Sequence, residues 1–139
     1  MNEDIAKIVI FEDEKEHQRK FQLTFEAIGC TPLFFDNPRP SRDNTIYERI
    51  ATFSPQLAIV DSWFGDSRNA GFFIVSYLQE KFSDLPIIIC SQLFFREDKN
   101  GTKARYNELY FQYKGLPGVH AVIGKNPFPA GEDILNAVA

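Results

Sequence analysis

Cysteine is scarce in this chain: Cys30 and Cys90 are the only two. Two distant cysteines lack zinc-site spacing and exclude a disulfide-stapled scaffold, so a reduced, cytoplasmic setting is the simplest expectation. Long apolar runs are missing as well. No stretch approaches the roughly 20 residues of a membrane-spanning helix, and residues 1–7 have no apolar signal core. Basic charge is in deficit, with 15 Lys and Arg against 19 Asp and Glu and a net charge of −4. That balance argues against a general nucleic-acid surface. No internal repeat, low-complexity tract or linker interrupts the chain. The 139 residues are therefore expected to form a single domain, 1–139, with no output domain in this chain.

What the chain does have is apolar and aromatic residues. They make up 44% and 14% of it, including 14 Phe, which suits a folded core rather than disorder. The strongest signal is the run 57–60, Leu-Ala-Ile-Val, with Pro55 before it and Asp61 ending it. Four apolar residues without alternation read as a strand buried on both faces. Such a strand has no solvated face for an acid, so Asp61 belongs at its carboxyl end. Similar strands are expected at 7–11, 33–35, 86–90 and 119–123, and helices at 14–28, 45–53, 71–82 and 132–138. Phe21, Phe25 and Ile28 mark the inner face of the first helix, and Gly29 its end. Ile46, Ile50 and Phe53 mark the second.

Strands alternating with helices imply βαβ units, a parallel sheet and right-handed crossovers. Five units predict a doubly wound α/β fold of order 2-1-3-4-5 with helices on both faces. Strands 1 and 3 are then neighbours. Glu12, Asp13 and Asp61 share one crevice at the carboxyl edge, and strands 4 and 5 bring Ser91 and Lys125 to it. Crowded carboxylates raise one another's pKa, and a hard divalent cation such as Mg²⁺, which prefers oxygen ligands, relieves the repulsion. Asp61 can then act as a nucleophile toward a phosphoryl donor. Lys125 and Mg²⁺ are suited to stabilise the charge on the transferring group, and Ser91 to hydrogen-bond it.

These residues resemble the receiver domains of two-component response regulators. Residues 8–14, Ile-Val-Ile-Phe-Glu-Asp-Glu, resemble the first strand and its acidic cluster. Residues 55–61 resemble the phosphoacceptor strand, 86–91 the fourth strand with its terminal hydroxyl, and 118–125 with Pro127-Phe128 the fifth strand and its lysine. The resemblance covers essentially the whole chain. It implies that Asp61 accepts a phosphoryl group from a histidine kinase or phosphotransfer protein, by self-catalysed transfer with autodephosphorylation rather than as a classical enzyme. It implies that Glu12, Asp13, Asp61 and the main-chain carbonyl of Trp63 hold Mg²⁺, and that Ser91 and Lys125 bind the phosphoryl group. Counting from Gly118 puts Lys125 at the lysine position, whereas counting back from Pro127 puts Asn126 there. The first count is adopted, because the phosphoryl charge calls for an ammonium. The chain departs from the family at Gln92, usually a small residue, at Val122, often an aromatic, and at Asn126, which separates Lys125 from Pro127.

Taken singly, each residue has a plainer reading. Acids after a strand often only complement a helix dipole, Ser91 alone is a turn serine, and Lys125 alone is solvated. His17 and His120 are assigned no role. Only joint placement at one sheet edge raises the set above these readings. A receiver-like interaction module that is not phosphorylated remains the alternative. A metal-dependent phosphohydrolase is weaker, because Trp63 stands where a general acid two residues after Asp61 is needed. The segment 92–118 is longer than the family's and rich in aromatic and basic residues. A loop at 96–101 and a helix at 102–114 are expected there, with Tyr106, Leu109, Tyr110 and Tyr113 on one face. Such composition suits a partner surface.

Overall fold

Continuous apolar strands flanked by amphipathic helices give a layered arrangement in the computed structural model, which describes residues 5–37, 39–62, 64, 69–91, 110–125 and 127–138. The strands are β1 (Lys7–Phe11), β2 (Thr31–Phe35), β3 (Leu57–Val60), β4 (Ile87–Ser91) and β5 (Val119–Gly124). The helices are α1 (Lys15–Glu26), α2 (Asn44–Phe53) and α3 (Ala70–Lys81), the helical stretch 110–114 (α4), and α5 (Gly131–Asn136). The five strands form one parallel sheet of order β2-β1-β3-β4-β5, as the alternation of elements predicts. Among the described residues no helix is long and apolar enough to cross a membrane.

The period of two along each strand divides the core. Val9, Phe11, Ala58, Val60, Ile87 and Ile89 face α2, α3 and Tyr113 of α4. Ile8, Ile10, Leu57, Ile59, Ile88 and Cys90 face Phe21 and Phe25 of α1 and Ile134 and Leu135 of α5. Burial on both faces is why β3 is apolar throughout and β4 is apolar up to Ser91. Both cysteines are free and buried: Cys30 donates to the Ile5 carbonyl at 3.3 Å, and burial pushes the Cys90 thiol up to about 12.

Several expected boundaries shift. The second strand begins at Thr31 rather than Leu33 and includes Pro32. Proline interrupts a central strand, but β2 is an edge, where its missing N–H costs nothing. Helix α1 stops at Glu26, and Gly29, at φ 81, closes it through Gly29 N–H to Glu26 O and Cys30 N–H to Phe25 O, the paired bonds of a Schellman ending. Phe53 is only partly buried, unlike Ile46 and Ile50, and the Lys7 ammonium stands 5.8 Å above its ring. The last helix is shorter than the expected 132–138 and starts one residue earlier. The loop expected at 96–101, and the 102–114 helix as far as residue 109, lie outside the described residues.

One irregularity positions the site. Between β4 and β5 the register shifts, so that Ile87 pairs with Val119 but Ile88 pairs with Ala121. The extra residue, His120, is exposed, as a bulged residue on an edge can be. Beyond it Ser91 pairs with Gly124, and Lys125 N–H donates to the Ser91 carbonyl at 3.2 Å.

Candidate functional site

Each of the inner strands runs out at the same edge of the sheet into a polar residue. Glu12 follows β1, and its N–H donates to the Phe35 carbonyl at 2.9 Å. Its Oε2 accepts the Glu14 N–H at 3.1 Å, and its own carbonyl accepts from Gln18 Nε2 at 2.6 Å. The start of α1 thus holds Glu12 both by its carboxylate and by its main-chain carbonyl. Asp61 follows β3. Its N–H reaches the Phe11 carbonyl at 3.0 Å, and its Oδ1 accepts the Ser62 N–H at 2.8 Å.

Lys125 joins the two acids. Its ammonium donates to Glu12 Oε1, and to Asp61 Oδ2 at 3.2 Å. Glu12 is 1% exposed, Asp61 8% and Lys125 6%, so these charges meet with little water between them. Asp13 is half-buried beside them, and one carboxylate oxygen from each of Glu12, Asp13 and Asp61 lies within 4.8 Å of the others. Lys125, the residue adopted by counting from Gly118, directs its ammonium toward Asp61. Asn126 lies outside the described residues, as do Trp63 and Gln92.

The electrostatics follow from burial. Desolvation pushes the Asp61 carboxyl up to about 7, Lys125 pulls it back, and the Glu12 charge adds to the rise. Burial also works against the Lys125 ammonium, but Asp61 and Glu12 outweigh it and hold its pKa above the usual value.

Ser91, at the end of β4, is fully buried, and its hydroxyl oxygen accepts from Ser62 Oγ at 2.7 Å. Ser62 itself drew no notice in the sequence. Its carbonyl accepts from the Tyr113 hydroxyl at 3.3 Å, so it also meets α4. Val122 packs against the α3 side of the core.

His17 is the second residue that sequence reasoning passed over. It is 8% exposed, and its Nδ1 stands 3.2 Å from Lys125 Nζ, 3.3 Å from Glu14 Oε2 and 3.6 Å from Glu12 Oε1. Burial first, and then Lys125, lower its pKa. Phe128 closes over it with ring centroids 5.8 Å apart. The available signal was position: His17 lies in the first turn of α1, one turn after the acidic cluster.

Chemically, the edge combines an oxygen-only carboxylate set, an ammonium shared by two of its members, and a pair of buried hydroxyls. No family model matches the sequence, and no curated protein matches it. Solved structures do resemble it. A response regulator receiver domain protein from Clostridium thermocellum is 15% identical, with 96% of this chain and 91% of that one covered and a TM-score of 0.65. The signal receiver domain of an HD domain-containing protein from Pseudomonas fluorescens Pf-5 is 11% identical, over 96% of this chain and 91% of that one, with a TM-score of 0.67. The BeF3-activated N-terminal receiver domain of Klebsiella pneumoniae RstA is 20% identical, over 96% and 95%, with a TM-score of 0.60. The fold of this chain is the receiver-domain fold.

Proposed function

We propose that this chain is the phosphoacceptor receiver domain of a two-component phosphorelay, taking a phosphoryl group from a histidine kinase or phosphotransfer protein onto Asp61. The observation that carries the reading is Asp61 itself. It ends the central strand with Glu12 and Asp13 oxygens within 4.8 Å and the Lys125 ammonium 3.2 Å from Oδ2.

In the transfer, an ionised Asp61 oxygen attacks phosphorus. The P–N bond of the donor phosphohistidine breaks, its electron pair stays on the imidazole, and that ring takes a proton from water. Lys125 turns one donor from carboxylate to phosphoryl oxygen, and the Ser91 hydroxyl hydrogen-bonds another. Water attack at phosphorus later returns Asp61 and inorganic phosphate. The donor set fits Mg²⁺, since every candidate side-chain ligand is a carboxylate oxygen. Glu12, Asp13, Asp61 and the Trp63 carbonyl would hold the ion, which supplies positive charge facing the phosphoryl oxygens. A downstream protein partner is proposed to meet the segment 92–118, where Phe111 is 67% exposed. The two free cysteines support a cytoplasmic setting.

One observation favours the second reading, an interaction module without phosphorylation. Lys125 already pairs with both Glu12 and Asp61, so part of the repulsion in this crevice is relieved without a bound cation. Intact-mass measurement after incubation with Mg²⁺ and acetyl phosphate separates the two. The expected result is one phosphoryl group on the wild type, and none on Asp61→Asn or in the presence of a chelator. An unchanged wild-type mass with both acetyl phosphate and a phosphohistidine donor would leave the interaction module.

A further inference from the structure

An ammonium has three N–H bonds to place. Around Lys125 Nζ stand three partners: Glu12 Oε1, Asp61 Oδ2 at 3.2 Å and His17 Nδ1 at 3.2 Å. The first two are carboxylates and would draw any nearby cation. The third is directional, since Nδ1 accepts only along one lone pair in the plane of the ring, with the ring proton on Nε2.

The ring is held so that this lone pair keeps its aim. His17 leaves the first turn of α1, is 8% exposed, and packs beneath Phe128. Phe128 in turn packs edge-on to Phe21 at 4.8 Å, and the Lys125 ammonium lies 5.8 Å from the Phe21 ring centre. Helix α1 and the chain after β5 are therefore locked together around one lysine head. The charged groups facing the imidazole are Glu12, Glu14, Lys20, Asp61 and Lys125.

We propose that His17 is a positioning residue for Lys125: its Nδ1 takes the third ammonium proton and fixes the ammonium between Glu12 and Asp61, at the place where a phosphoryl oxygen on Asp61 arrives. What the lysine is positioned for rests on the phosphoacceptor reading. The hold itself does not. Without the imidazole, one N–H of a buried ammonium is left with no further acceptor among the described residues, and the head turns to find water.

The test compares His17→Leu, which keeps bulk and removes the acceptor, with His17→Asn, whose amide oxygen reaches about where Nδ1 stands. The first measurement is the Lys125 ammonium signal in ¹⁵N–¹H spectra, visible only while its protons exchange slowly. It is expected in the wild type and in His17→Asn, and lost in His17→Leu. The second is the rate of phosphoryl uptake against acetyl phosphate concentration. His17→Leu should lower the limiting rate about tenfold with the half-saturating concentration unchanged, the pattern of a group that orients rather than binds. His17→Asn should recover most of the rate. An ammonium signal retained in His17→Leu, or a His17→Asn variant as impaired as His17→Leu, overturns the proposal. If His17→Leu does not fold, His17→Asn carries the test alone, and loss of its ammonium signal overturns the proposal. A wild type that takes up no phosphoryl group refutes the phosphoacceptor reading, while the ammonium signal still decides the hold.

Discussion

The Tyr113 hydroxyl donates to the Ser62 carbonyl across 3.3 Å, which ties α4 to the residue immediately after Asp61. The phenol is fully buried, and its ring stacks on Phe72 at 4.1 Å and 6°. Burial first, and then the Asp61 charge, push its pKa up and keep it protonated, so it stays a donor. Ser62 also donates to Ser91. One residue therefore touches the end of β3, the end of β4 and the helix that precedes β5.

Tyr113→Phe keeps the stack on Phe72 and leaves the Ser62 carbonyl without this donor. The expected loss is about 1 kcal/mol of stability, read in urea denaturation. Hydrogen exchange at 110–114 should rise more than in α1, which packs on the opposite face of the sheet. An increase spread evenly over both helices would contradict a local tie.

Gly71 is the counterpart of that contact. A Cβ there would stand 2.9 Å from Ser62 Cα and closer still to the Tyr113 hydroxyl. Gly71→Ala should therefore cost about 1–3 kcal/mol through overpacking. In a Tyr113→Phe background the cost should shrink, because the nearer obstruction is gone. Strict additivity in the double-mutant cycle would show that the two positions do not share the space.

The raised Asp61 pKa fixes the sign of a pH effect. Its value is about 7 in the native state against 3.8 as the ordinary value, so between these the folded chain holds a proton that the unfolded chain releases. Stability should then fall as pH rises from about 4 through 7 and level off above, by at most about 4 kcal/mol from this group. Asp61→Asn should remove that slope and exceed the wild type in stability at about pH 8. Urea melts across the range check it, and a wild-type curve that rises relative to the variant would reverse the assignment.

Lys125→Met leaves Glu12 and Asp61 facing each other beside Asp13 without the ammonium. Removing one partner of a buried ion pair costs about 3–5 kcal/mol. If these carboxylates form a cation site, Mg²⁺ should raise the melting temperature of this variant more than that of the wild type. No response to Mg²⁺ in either protein would remove the cation site.

Much of this was legible because burial writes itself into composition. The runs at 57–60 and 87–90 could not alternate, so they had to lie between two helical layers, and the polar residues ending them had to gather at one edge. Glu12, Asp13, Asp61, Ser91 and Lys125 follow from that logic. Thr31 and Pro32 extend the second strand beyond the expected 33–35 because a proline is harmless on an edge, and edge position is a property of the whole sheet. His17 was hidden for a related reason. On a helix whose other residues are largely polar, an imidazole looks solvated until Phe128, from the far end of the chain, covers it. Ser62 and Tyr113 likewise acquire their meaning from each other across the fold. The bulge at His120 left no mark in the sequence, yet it sets the pairing from which Lys125 reaches the site.

Cys30 and Cys90 give the folded chain two clocks. Thiol reagents attack the thiolate, and both thiols are buried with their pKa values raised. Labelling must then wait for opening, so its rate counts openings rather than collisions. Cys30 lies just before the edge strand β2 and is hydrogen-bonded to Ile5, so opening of that edge alone exposes it. Cys90 lies in β4, between β3 and β5, and becomes reachable only when the sheet itself parts. The two labelling rates, followed in one sample, separate the free energy of local fraying from that of global unfolding.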